Sequence, residues 1–294
     1  MRAAVVTTFG GPEAVEVVEV EVPEPGARQV RIKVAAAALN PVDAGLREGV
    51  FGGAGTQIGL GWDVAGVVDA VGAEADWSVG DEVVALHYGM GKSLGTHAEY
   101  VVVDADAVAK APAGVDAVLA ATLPLNALTA AQALAGLGVE PGQKLLVTGA
   151  AGAVGGYALQ LAAHRGIEAT ALARPGSEEL VRSLGAARIA DADEGGFDAV
   201  LDAAALGEPA LARVRDGGAY LGVHPGGEPA SERGVRVAAV EVRADGRQLA
   251  ELVDLAEKGV LTLRVAETYA LVDAVKAHAR LAEGGVRGRL VLVP

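Results

Sequence analysis

The chain has 294 residues, enough for two domains with buried cores, and no cysteine, which excludes disulfides, thiolate metal sites, iron–sulfur clusters and cysteine nucleophiles. Lysine and arginine total 24 against 38 acids, and the formal charge of −14 argues against nucleic acid or an anionic membrane as partner. Two uncharged stretches, 117–139 and 145–164, reach membrane-spanning length, but alanine and glycine dominate them and Pro124, Asn126, Gln132 and Gln160 interrupt them, so no membrane insertion is expected. The N-terminus lacks a signal peptide's apolar core and cleavage pattern, and cytoplasmic residence is the expectation.

The first hundred residues read as short valine-rich strands: "RAAVVTT", "AVEVVEVEV", "QVRIKVAAAAL", "VAGVVDAVG", "DEVVAL" and "AEYVVVD". Turn signals at Gly10-Gly11-Pro12, at Pro23 to Gly26 and at Gly80-Asp81 separate them, which predicts an antiparallel, barrel-like β domain over residues 1–112. Beyond Ala111-Pro112 strands alternate with helices. "KLLVTGA" is a strand, "GGYALQLAAHRG" a helix closed by Gly166, "EATALA" a strand, and "SEELVRSLGA" a helix capped by Ser177. "ARIAD", "FDAVLDAA", "GAYLGV" and "VRVAAVEV" follow as strands, and "RQLAELVDLAEKGVL" as the last amphipathic helix of this region. Such alternation predicts a doubly wound parallel sheet over residues 113–261, so the fold class is α/β. The tail, 262–294, offers a strand, a helix and a strand that cannot bury themselves and are expected to dock back onto the N-terminal domain.

One turn carries chemistry. Ala150-Ala151-Gly152-Ala153-Val154-Gly155, after Gly149, is an A-x-G-x-x-G version of the dinucleotide fingerprint, with a strand before it and a helix after it. Small residues let the backbone approach a pyrophosphate, whose charge sits at the positive helix N-terminus. At the end of the next strand, where an acid would take a ribose 2′-hydroxyl, stands Arg174, followed by Ser177. A planar cation there suits a 2′-phosphate, so NADPH is expected over NADH.

The blocks "AAALNPVDAGLREG", "LGWDVAGVVDAVG", "VGDEVVAL", "THAEYVVV", "LPLNALTAAQAL", "VTGAAGAVGGYALQLA" and "VRGRLVLV" resemble, in order, the zinc-independent quinone oxidoreductase (zeta-crystallin-like) branch of the medium-chain dehydrogenase/reductase superfamily. The resemblance implies a GroES-like catalytic domain, a central Rossmann domain, a C-terminal segment returning to the catalytic domain, NADPH in the cleft between domains, and a homodimer or homotetramer. It also implies that Asn40 hydrogen-bonds in the nicotinamide or substrate region, that Asp43 orders that loop, that Thr129 contacts the nicotinamide, and that His224 follows the strand bordering it. Zinc alcohol dehydrogenases of the superfamily hold a metal through a cysteine and a Gly-His-Glu motif. Asn40 and Gly61-Trp62-Asp63 stand at those places, and His87, His97, His164, His224 and His278 are scattered without ligand spacing, so no metal is expected.

The expected chemistry is hydride transfer from NADPH to a quinone or related conjugated carbonyl. The loops 46–59 and 87–95 are expected to wall the pocket, with "FGGAGTQIG" as a cleft edge or an ordinary long turn. Phe51 is the only aromatic residue in "DAGLREGVFGG", which leaves little ring stacking for a quinone. An enoyl or alkenal reductase acting on an enone or enoyl thioester therefore stands as the alternative, and a non-catalytic NADPH-binding protein as a third reading.

Overall fold

The computed structural model describes residues 1–52, 57–191 and 193–294. They form two compact units, one comprising Met1–Leu125, Arg243–Glu257 and Leu263–Pro294, the other Asn126–Val242 and Lys258–Thr262. Residues 53–56 of the "FGGAGTQIG" loop lie outside those described.

The first unit begins with strands β1 (Arg2–Val6), β2 (Val15–Glu19) and β3 (Gln29–Leu39), helix α1 (Pro41–Glu48), and strands β4 (Ile58–Gly59), β5 (Asp63–Val71), β6 (Glu82–Leu86), β7 (Tyr100–Asp104) and β8 (Val108–Lys110). Alternation drives the long strand β3: Val30, Ile32 and Val34 turn inward while Arg31 and Lys33 stay at the surface. β3 pairs antiparallel with both β5 and β7, and its inward valines join Val64, Val68, Val83, Val101 and Val103 in one apolar core. Burying each such side chain contributes roughly 1.5–3 kcal/mol, which makes this cluster the main support of the unit.

Helices α2 (Ala117–Ala120) and α3 (Pro124–Leu137) follow. The span Ala117–Leu137 is long and apolar enough to cross a membrane by length and composition, and its most apolar window is 72 % buried inside the protein, as in a core helix.

The second unit carries β9 (Leu145–Thr148), α4 (Ala153–His164), β10 (Ala169–Leu172), α5 (Glu178–Ser183), β11 (Arg188–Ile189), β12 (Phe197–Asp202), α6 (Glu208–Leu211), β13 (Val214–Gly222) and β14 (Arg236–Ala239). All its strand pairs are parallel, in the order β11-β10-β9-β12-β13-β14. All four residues of β9 are buried, as expected of a central strand covered on both faces.

The remaining elements are α7 (Gly246–Glu257), β15 (Val265–Ala270), α8 (Ala274–Ala282) and β16 (Arg289–Val293). β16 pairs antiparallel with β3, Val291 opposite Ala38, and parallel with β15. Helix α7, read from the sequence as the last helix of the parallel sheet, lies instead against β8 in the first unit. Its amphipathic period identifies an inward face, Leu249, Leu252 and Val253, without identifying the sheet that face covers. Gly246 permits the docking: a Cβ there would stand 2.4 Å from the Val108 carbonyl oxygen.

Candidate functional site

The parallel sheet is wound outward from β9, first to β10 and β11 on one side and then to β12, β13 and β14 on the other. The carboxyl ends of β9 and β12 therefore flank a topological switch point, the place where sheets of this kind take ligands. The turn Gly149–Gly152 leaves β9 there. Gly149 has φ of +57°, and a Cβ on it would lie 3.1 Å from the Ala203 carbonyl carbon and oxygen. At Gly155 a Cβ would meet the Gly149 carbonyl oxygen at 2.5 Å. Ala150 is fully buried, and its N–H donates to the Leu172 carbonyl at 3.3 Å. Ala151 completes the turn, Gly152 caps α4, and Ala153 and Val154 open the helix, whose first amide N–H groups have no partner one turn back. A backbone this bare at a helix N-terminus fits a dinucleotide pyrophosphate.

Arg174, Ser177 and His224 follow strands of the same sheet. Leu172 is in register with Thr148, and Arg174 follows two residues later, exposed and without a hydrogen bond or ion pair among the described residues. Ser177, buried, stands at the N-cap position of α5, where its side chain makes no capping hydrogen bond. His224 is exposed two residues beyond Gly222, which is in register with Asp202 of β12. Thr129 is buried on α3.

A further cluster at the switch point was not anticipated. Asp202, fully buried, accepts from Thr148 Oγ1 at 2.5 Å, from the Tyr220 hydroxyl at 2.8 Å and from the Gly207 N–H at 2.8 Å. Burial, then the hydrogen bond to Asp202 and its charge, push the Tyr220 hydroxyl pKa upward. The one sequence signal was an acid at the end of an otherwise apolar strand, "FDAVLD".

In the first unit, Asn40 and Asp43 belong to a second buried polar cluster. Asn40 caps α1 through a reciprocal pair: its side chain accepts from the Asp43 N–H, and Asp43 Oδ2 accepts from Asn40 N at 2.8 Å. Asp43 Oδ1 also accepts from Gly61 N at 2.7 Å, which ties the start of α1 to the turn before β5. The Asn40 amide donates to the Asp63 carboxylate at 2.6 Å and to the Ala38 carbonyl at 3.3 Å. Both amide hydrogens are engaged inside the protein, so Asn40 ties the start of α1 to Ala38 and to Asp63.

Asp63 also accepts from Leu125 N at 2.6 Å, at the start of α3. Burial raises its carboxyl to about 7, against the pull of the Leu125 and Asn40 hydrogen bonds and the charge of Arg289. Lys92 donates to the carbonyls of Gly61, at 3.2 Å, and His87, and its ammonium stands 4.7 Å from the Trp62 ring centroid. Burial lowers its pKa to about 7, opposed by the charges of Asp43 and Asp63. No pattern in the sequence singled out Lys92, because its partners are backbone carbonyls and a ring face.

These residues do not fit a zinc ion. The Trp62 indole nitrogen, buried without a partner, is a donor and has no lone pair to offer; the Asn40 amide turns its hydrogens toward Asp63; and both Asp63 oxygens are occupied by hydrogen bonds. Among the described residues no group of three or more His, Cys, Asp or Glu could hold a metal.

A family described as alcohol dehydrogenase GroES-like domain matches residues 26–113, and one described as zinc-binding dehydrogenase matches residues 176–292. The chain is 37 % identical over 235 residues to the chloroplastic NADPH-dependent alkenal/one oxidoreductase of Arabidopsis thaliana, covering 74 % of this chain and 61 % of that protein's length. It is 30 % identical over 329 residues to a chloroplastic quinone oxidoreductase of Triphysaria versicolor, covering 100 % of this chain and 98 % of that one. Among solved structures, the quinone oxidoreductase from Coxiella burnetii superposes with a TM-score of 0.90 at 28 % identity, covering 100 % of this chain and 99 % of its own.

Proposed function

We propose that this chain, which belongs to the zinc-independent quinone oxidoreductase branch of the medium-chain dehydrogenase/reductase superfamily, reduces a quinone or related conjugated carbonyl at the expense of NADPH. The observation that carries the reading is the small-residue turn at the switch point together with Arg174, a cation with no hydrogen bond or ion pair among the described residues. When bound, the cofactor supplies the hydride.

The residues of the chain supply placement. Gly149, Ala150, Ala151 and Gly152 bring the backbone close to the pyrophosphate, and the first amides of α4, at Ala153 and Val154, face its charge. Arg174 and Ser177 take the 2′-phosphate, the guanidinium through charge-assisted hydrogen bonds. Thr129 and His224 border the nicotinamide. Asn40 and Asp43 keep the α1 loop rigid, since every hydrogen-bonding group described above for them is engaged. Water supplies the proton that completes the reduction.

The alkenal/one oxidoreductase among the relatives favours a second reading, hydride delivery to the β-carbon of an enone. Loss of absorbance at the reduced-nicotinamide band separates the two, with NADPH and NADH compared against 9,10-phenanthrenequinone, 1,4-benzoquinone, an alkenal and crotonyl-CoA. Turnover of quinones with NADPH supports the first reading, and preference for the alkenal or thioester supports the second. Binding without turnover across the panel would leave only a non-catalytic NADPH-binding protein.

A further inference from the structure

At the switch point one buried carboxylate gathers donors from two neighbouring strands and from the far end of its own loop. Asp202 ends β12 and accepts from Thr148 on β9, Tyr220 on β13, and the Gly207 N–H where the loop after β12 ends. Thr148 Oγ1 accepts in turn from Ala204 N at 3.1 Å. The loop 203–207 is therefore tied at both ends, near its start through Thr148 and at its finish through Asp202.

Between those ties the backbone is strained. Ala205 has φ of +52°, a left-handed conformation that residues with a Cβ rarely adopt and that persists only where its surroundings enforce it. The same loop borders the dinucleotide turn, since Ala203 and Ala204 are the groups that a Cβ on Gly149 would meet at 3.1 Å. Strain of this kind, at a switch point and beside a turn that fits a pyrophosphate, is a feature of positioned ligand sites.

We propose that Asp202 is a positioning residue for the nicotinamide dinucleotide, locking the loop 203–207 against the turn 149–152 so that the cofactor meets a preformed wall. The proposal rests on the function proposed above, because it takes NADPH as the ligand. Its chemistry favours an acid at this position. Three donors face two oxygens, and an asparagine keeps only one of them: with that oxygen toward Tyr220 and the Gly207 N–H, its amide hydrogens face Thr148 Oγ1, which then loses the acceptor for its own hydrogen and must accept from the amide beside the Ala204 N–H it already serves. A loop released at that end would relax at Ala205 and would have to be ordered again on binding, at a cost in affinity.

The test uses the full chain and the variants Asp202→Asn, Thr148→Val, Thr148→Ser and Ala205→Gly. NADPH affinity is measured by titration calorimetry without acceptor, Tm without cofactor, and KM and kcat with a quinone. Asp202→Asn and Thr148→Val should weaken NADPH binding at least fivefold and raise its KM by a similar factor, with kcat at saturating NADPH changing less. Thr148→Ser, which keeps the hydroxyl, should restore affinity to within twofold of the parent. Ala205→Gly guards against a folding defect: glycine accepts the left-handed conformation, so Tm should not fall, while affinity drops at least twofold as the loop loosens. Variants that lower Tm yet bind NADPH within twofold of the parent would overturn the proposal and leave the proposed function standing. A parent protein that binds neither NADPH nor NADH would overturn both.

Discussion

The Arg47 guanidinium stands 3.3 Å from His278 Nδ1, joining α1 to α8 across 231 positions of sequence. Both side chains are buried. A guanidinium only donates, so Nδ1 accepts and the ring hydrogen sits on Nε2, which is buried without a partner. Arg47 Nε also donates to the Gly10 carbonyl at 3.1 Å, so one cation holds three segments of the first unit together.

This arrangement predicts an acid-sensitive fold. Burial, then the nearby charges of His97 and Arg47, lower the His278 pKa to about 3, and burial with the charge of Lys92 lowers His87 to about 3. Unfolded histidines titrate near 6.5, so the unfolded chain takes up these protons first. The stability the neutral rings contribute is complete above about 6.5 and is lost as pH falls toward about 3, by at most roughly 1.4 kcal/mol per pH unit for each ring. His278→Asn cannot take a proton there and should show a shallower fall of Tm between pH 6.5 and 4 than the parent; parallel slopes would contradict the assignment.

Asp63 acts in the opposite sense. Its pKa is raised by burial to about 7 from an ordinary value of 3.8, so its contribution is complete at acid pH and is lost as pH rises through about 7. Asn40→Ala removes the donor at 2.6 Å and the cap of α1, and should cost about 2–4 kcal/mol. Because the missing donor serves the charged carboxylate, urea denaturation should reveal a larger deficit at pH 8 than at pH 6. Equal deficits would mean that the hydrogen bond does not favour the ionised form.

Arg174→Ala should weaken NADPH about 10- to 100-fold, the loss of one or two charge-assisted hydrogen bonds, and leave NADH within twofold. Tm should not change, because the exposed guanidinium makes no hydrogen bond or ion pair among the described residues. Equal losses for the two cofactors would place the 2′-phosphate elsewhere.

Gly155→Ala tests the turn. The new methyl would stand 2.5 Å from the Gly149 carbonyl oxygen and 2.8 Å from Ala150 Cα, both backbone atoms that cannot rotate away. The turn must open, at a cost of about 1–3 kcal/mol, and dinucleotide affinity should fall with stability. Calorimetric binding at parental strength would show that the pyrophosphate does not use this turn.

The features legible in the sequence were local ones. The small-residue turn, the arginine two residues past β10 and the strand–helix alternation each declare themselves within a dozen residues, because steric allowance and hydrophobic period are properties of short segments. The features that needed the fold join distant segments. Nothing near Asp202 announces Thr148, 54 positions earlier, or Tyr220, 18 later; they meet because three parallel strands end at one edge. Asn40 has the residue type of a donor, and only its distance to Asp63 reveals that partner. Helix α7 has the period of a covering helix, and only the close approach of Gly246 to Val108 decides which sheet it covers. The amino-acid sequence by itself determined the elements and the cofactor turn, since backbone sterics and periodicity act along the chain. Tertiary structure decided which polar groups are already paired, since that depends on neighbours the chain brings together through space.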